Sequence, residues 1–228
     1  MPATGLFVLQ DPSFTATTII QMNDRIARLD FPRVQGKWSL DYKLFIENPA
    51  MLRTPPSSSS QAPRPRQLSQ LSLSQHRDDI FCLIDESPNY TSRSASGNLK
   101  KVLAVFDRGI DSIIGVKLHS LWVQRQAMRA DGFIFAFGEE FTVRTGNVTQ
   151  GGLFKFIIVE VEYLLSDNLE EAKPHILSLI DKCNLPPGKF YYGDKVDIHR
   201  EEGQDLNTWT KLTNSLQYME IFRSRESP

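Results

Sequence analysis

Between Gln35 and Ile46 apolar and polar residues alternate one for one. Trp38, Leu40, Tyr42, Leu44 and Ile46 fall on one side, and Lys37, Ser39, Asp41 and Lys43 on the other. Successive side chains of a strand point to opposite faces, so this segment is a strand with one dry face and one wet face. A buried parallel sheet reads as a continuous apolar run instead, so the pattern selects an antiparallel sheet and demands something to cover its dry side.

Further strand-like runs lie at Asp79–Ile84, Leu99–Asp107, Phe133–Phe137, Phe141–Val148 and Phe154–Tyr163. Gly138 and Gln150-Gly151-Gly152 separate the last three, which suits a meander of hairpins. Helical spacing connects Ile19, Met22, Ile26 and Leu29 within Thr15–Leu29, and also Ile110, Ile113, Ile114, Leu118, Leu121 and Trp122. It recurs at Leu169, Ala172, Ile176 and Ile180 within Asp167–Cys183. Leu206, Trp209, Leu212, Leu216, Met219 and Phe222 mark a long C-terminal amphipathic helix, with Asp205 or Asn207 as its cap. Strand and helix do not alternate regularly, so a Rossmann-type sheet is disfavoured. The expected class is α+β: a mostly antiparallel, strongly curved sheet that closes into a barrel and hides its edges, flanked by helices.

Composition adds one division. Residues 48–77 hold seven Ser, five Pro, four Arg and no acid, a net of +4 in a chain whose formal charge is −1. The remainder therefore carries −5. Such a stretch cannot offset its ordering entropy, so 48–77 reads as a disordered insertion and 87–98 as a second flexible loop, within a single domain spanning 1–228. Near-neutrality excludes a protein that coats nucleic acid, although the basic loop leaves a local nucleic-acid or acidic-tail contact open. No run approaches the length of a transmembrane helix. The Leu6–Leu9 run is too short for a signal peptide, and Cys82 and Cys183 read as two reduced, buried thiols.

No GxSxG, HExxH, Walker or GxGxxG pattern occurs, and His76, His119, His175 and His199 are scattered. The acidic stretch Asp194, Asp197, Glu201, Glu202 and Asp205 lacks the spacing of a calcium loop and reads as a solvated approach to the last helix. One constellation could carry chemistry. In Val159-Glu160-Val161-Glu162-Tyr163 the alternation puts both carboxylates on one face, where a divalent metal could sit. Tunnel-type triphosphatases use Glu-x-Glu pairs in this way, with basic residues on neighbouring strands. Here there is one pair, beside Phe154, Phe156 and Ile158, and no row of inward basic residues. A structural or interface role is the competing reading.

Glu140-Phe141-Thr142-Val143-Arg144-Thr145-Gly146-Asn147-Val148-Thr149, then Gly151 or Gly152, then Ile158 to Tyr163, resembles the strand–turn–strand signature of the Mediator subunit 20 family. Tyr192-Gly193 and Leu216-Gln217-Tyr218-Met219-Glu220-Ile221-Phe222 match further. The hairpin's signature positions are Phe141, Gly146, Val148, Gly151, Glu160, Glu162 and Tyr163. The resemblance implies a non-enzymatic nuclear protein of the Mediator head module with a barrel fold. It implies pairing with subunit 18, tethering by the C-terminal helix of subunit 8, and contact with RNA polymerase II and general factors through the complex. No catalytic residue, metal, cofactor, small-molecule substrate or membrane is implied. Expected partner contacts are Phe133, Phe135, Phe137, Phe154 and Phe156 on the strands, with Tyr218 and Glu220 on the last helix.

Overall fold

The computed structural model describes residues 1–11, 13–29, 32–51, 65–85, 101–192 and 209–223. The strands are β1 (Ala3–Leu9), β2 (Arg33–Glu47), β3 (Gln67–Leu73), β4 (Ile80–Asp85), β5 (Lys101–Phe106), β6 (Trp122–Phe137), β7 (Phe141–Gln150), β8 (Leu153–Tyr163) and β9 (Lys189–Tyr191). The helices are α1 (Ala16–Arg28), α2 (Gly109–Ser112, running into a π-turn at Ile113–Lys117), α3 (Leu169–Lys182) and α4 (Lys211–Arg223).

All nine strands form one sheet in the order β5-β4-β3-β2-β6-β7-β8-β1-β9, and every described pairing is antiparallel. The β7–β8 turn is Gly151-Gly152, with φ of 57° and 80°. A type I′ two-residue hairpin needs positive φ at both central positions, which suits two glycines. This turn sets Gln150 opposite Leu153, and the slip that leaves Lys155 unpaired then brings Arg144 opposite Glu160.

Each face of the sheet has its own core. Inward, Leu6, Val8, Trp38, Leu40, Tyr42, Leu44, Leu71, Phe81, Met128, Phe156 and Ile158 surround Leu216, Tyr218, Met219, Ile221 and Phe222 of α4. Outward, α1 lays Ile19, Met22 and Ile26, and α3 lays Ala172, Ile176 and Ile180, against Val143, Ile157, Val159 and Val161. A smaller outer cluster packs Ile114 and Trp122 on Phe45, Leu68, Ile80 and Cys82. α4 touches β1 towards one end of the strand order and β3, β4 and β5 at the other, so the sheet wraps around it. Asn168 Oδ1 caps α3, accepting from the backbone N–H groups of Glu170 and Glu171.

The α+β class and the antiparallel sheet agree with the sequence pattern, but the barrel does not close. β5 and β9 are the two ends of the strand order and are not paired with each other. α4 is also not amphipathic: Thr213 to Met219, Ile221 and Phe222 are all buried. Trp209 lies before the helix and packs in the outer core on Tyr192, so the apolar stripe read from Leu206 onward divides between two cores. Leu206 and the caps Asp205 and Asn207 lie outside the described residues.

Other boundaries move. β1 and β9 carry no expectation from the sequence, and β6 extends far upstream of Phe133. Trp122, placed on a helix by its spacing, opens β6 instead. The reading of 48–77 as one disordered insertion is corrected at 67–73, which form β3 between β2 and β4. Residues 52–64 and the 87–98 loop lie outside the described residues.

Candidate functional site

The two carboxylates singled out by their alternation meet on the hollow face of β8. β7 runs beside β8 with Arg144 directly opposite Glu160. The Arg144 guanidinium forks between them, at 2.6 Å to Glu160 Oε1 and 2.8 Å to Glu162 Oε2. α4 supplies the next partner: the Tyr218 hydroxyl donates to Glu160 Oε2. Gln75 Nε2 lies 3.5 Å from the same oxygen, and Gln75 Oε1 accepts from Trp38 Nε1 at 2.9 Å. Glu160 and Tyr218 are 0% exposed.

The charges in this cluster act on one another. Burial works against the Arg144 charge, but Glu160 and Glu162 outweigh it and hold the guanidinium protonated beyond its ordinary range. Burial raises the Glu162 pKa; Arg144 opposes the shift and the charge of Glu160 adds to it. Burial, then the charge of Glu160, keeps the Tyr218 phenol neutral far above its usual range. His76 sits edge-on to Phe81, and burial lowers its pKa. The Cys82 and Cys183 thiols are free and buried, which pushes them up to about 12 and about 11 and leaves them un-ionised at neutral pH.

Such an arrangement ties β7, β8 and α4 together and offers little to a ligand. A cation between Glu160 and Glu162 would have to displace Arg144. Among the described residues no group of three His, Cys, Asp or Glu is placed to hold a metal ion. Arg144 is the one basic side chain among the described buried residues, and a triphosphate in the hollow would overlap α4. Arg144 itself is a partner the sequence reading missed. Its parity with Thr142, Gly146 and Val148 on β7 was the available signal.

The aromatic residues expected at a partner surface separate on inspection. Phe135 and Phe137 are buried in the outer core, and Phe156 and Tyr218 in the inner one. These four are corrected from surface to interior positions. Phe154 and Phe156 occupy different faces although two residues apart, because the register slips between Val148 and Thr149 opposite Lys155. Phe133 is 43% exposed, Phe154 is half-buried against the outer core, and Glu220 is half-buried on α4.

The signature hairpin is mainly architectural. Phe141 packs on Tyr163 at 5.1 Å, and Tyr163 stacks on His175 at 4.8 Å. Val148 lies in the inner core, and Gly151 makes the turn. A Cβ on Gly146 would come within 2.5 Å of the Trp38 ring, so glycine there admits the indole.

The family model described as the TATA-binding related factor of subunit 20 of the Mediator complex matches residues 1–223. The chain belongs to the Mediator subunit 20 family. A Mediator of RNA polymerase II transcription subunit 20 from Candida glabrata is 27% identical over 220 residues, covering 92% of this chain and 95% of its own. The subunit 20 of Scheffersomyces stipitis is 28% identical over 169 residues, covering 65% and 71%. Among solved structures, a chain of the Schizosaccharomyces pombe Mediator head module aligns at 11% identity and a TM-score of 0.33, covering 79% of this chain and 90% of that one. A Hippeastrum protein described as a putative adenylyl cyclase with dominant triphosphatase activity aligns at 10% identity and 0.43, covering 86% and 93%. For a subunit 20 family member, the hollow that α4 fills and the Glu160–Arg144–Glu162 fork are part of the frame.

Proposed function

We propose that this chain acts without catalysis as a structural subunit of Mediator, pairing with subunit 18 in the head module and held there with the C-terminal helix of subunit 8. In that role it supports RNA polymerase II transcription initiation in the nucleus. The observation that carries the reading is the family match across residues 1–223. The occupied hollow supports it physically, because Tyr218 and Arg144 engage the carboxylates that a hydrolase would need for metal. Phe133 and Phe154 are the strand aromatics left for a partner.

Co-expression of the full chain with subunit 18 and the C-terminal helix of subunit 8 tests this. A stoichiometric complex through size exclusion is expected, weakened by Phe133→Asp. Failure to co-elute would refute the pairing. An assay with manganese and inorganic triphosphate tests the absence of catalysis: no turnover is expected, and turnover abolished by Glu160→Ala would restore the hydrolase reading.

A further inference from the structure

The two edges of the sheet are built differently. β9 is three residues long, follows Pro186-Pro187, and holds the Lys189 ammonium 4.7 Å from the Tyr191 ring centre. Short length, proline and lysine are devices that stop another strand from adding to an edge. β5 has only one of them, a single lysine, Lys101, at its first position. It runs six residues without proline and pairs with β4 in unbroken register from Lys101 to Phe106. Val102 is 52% exposed and Phe106 41%, both on the outer face of the strand. Among the described residues no strand pairs with its other side. An unbroken edge with exposed apolar side chains of this kind recruits a strand, through backbone hydrogen bonds and alternate side chains.

The sequence of β5 names the strand that fits. In an antiparallel pairing centred on Ala104, Ala104 meets its own copy, Leu103 meets Val105, and Val102 meets Phe106. Lys101 then meets Asp107, the residue just beyond the strand. Residues directly opposite in an antiparallel pair share a face, so the exposed apolar residues cover each other and unlike charges meet at both ends. Centring on Leu103 instead would set Lys101 against Val105 and leave Phe106 unmatched. We propose that two copies of the free chain associate along β5 in the Ala104-centred register, joining their sheets edge to edge. This inference does not depend on the pairing with subunit 18.

Sedimentation velocity of the full chain over a range of concentrations tests it. A monomer–dimer equilibrium is expected for the unaltered chain. Lys101→Asp sets two acids against each other at both ends of the seam, and Asp107→Lys sets two bases; each should weaken association roughly tenfold. In an equimolar mixture of the two variants, an all-acidic pair of ends faces an all-basic pair. Association should then return as a mixed dimer. The double variant K101D/D107K should also recover it. Because recovery requires both single variants to be folded, misfolding cannot imitate it. A chain that stays monomeric, single variants that dimerise like the unaltered chain, or a mixture that fails to recover would each overturn the proposal.

Discussion

The inner and outer faces of this sheet bury similar aliphatic and aromatic side chains, yet among the described residues the three-charge buried cluster lies on the inner face alone. Outside, α1 and α3 rest on Val143, Ile157, Val159 and Val161, mainly through apolar area, with one neutral hydrogen bond from Thr145 Oγ1 to Asn23 Oδ1 at 2.7 Å. Inside, α4 rests on apolar side chains and also on Glu160 through Tyr218. Apolar packing tolerates sliding, whereas a hydrogen bond from one hydroxyl to one carboxylate does not. The inner cluster sets where α4 sits through charged groups; the outer core relies mainly on apolar area, with the neutral Thr145–Asn23 hydrogen bond as the positional tie of α1.

The largest test of that contrast removes Arg144. Arg144→Ala leaves two buried carboxylates without their counter-charge, and a loss of about 3–5 kcal/mol in denaturant unfolding is expected. Replacing the three charges together, as R144M/E160L/E162L, should cost much less, because no unpaired charge remains. Equal losses from the two variants would show that the cluster adds stability rather than position. On the outer face Ile176→Ala should cost about 3 kcal/mol by leaving a cavity, and the placement of α4 should be unchanged. Hydrogen exchange of α4 amides separates the two results: faster in the Arg144 variant, but no faster than global unfolding requires in the Ile176 variant.

A smaller effect comes from Tyr218→Phe, which keeps the ring and removes the donor to Glu160 Oε2. A loss of about 2 kcal/mol is expected. A loss within experimental error would mean that Gln75 or water replaces the hydroxyl, and that α4 is held by packing alone.

The same contrast explains what could be read from the sequence. β2 was legible because its two faces meet different environments, so Trp38, Leu40, Tyr42 and Leu44 alternate with polar residues. β3 was hidden by its composition. Ser69 and Gln70 are buried there, with Ser69 Oγ 3.1 Å from the Tyr42 hydroxyl and Gln70 Nε2 donating to Asp111 at 2.8 Å. Buried polar residues that bond to distant partners look like loop. α4 misled for the same reason: Gln217 suggests a wet face, but its Nε2 donates to the Tyr191 carbonyl at 2.8 Å inside the fold. The Glu160/Glu162 pair was legible as a pair because both lie on one strand. Tyr218 sits 58 residues away, and no local pattern links it to Glu160.

The finest distinction between the faces is their response to pH. Burial raises the Glu162 pKa above the 4.5 of an unfolded glutamate, so between 4.5 and the folded value the native chain holds more protons than the unfolded one. Stability from this group is therefore fully present at low pH and declines as pH rises through that window, levelling off above the folded pKa. Glu47 acts in the opposite sense: its hydrogen bond to Arg66 lowers its pKa, so its contribution builds as pH rises from the folded pKa to the unfolded 4.5 and is complete above it. The two windows adjoin at about 4.5 and run together in a simple pH titration of the unaltered chain. Glu162→Gln isolates the inner contribution, because glutamine carries no titrating proton. The stability difference between the unaltered chain and this variant should shift against the unaltered chain as pH rises from about 4.5, a direction set by the sign of the raised pKa. A difference that stays flat with pH would mean Arg144 compensates Glu162 completely, and the inner face would then differ from the outer one in geometry but not in charge.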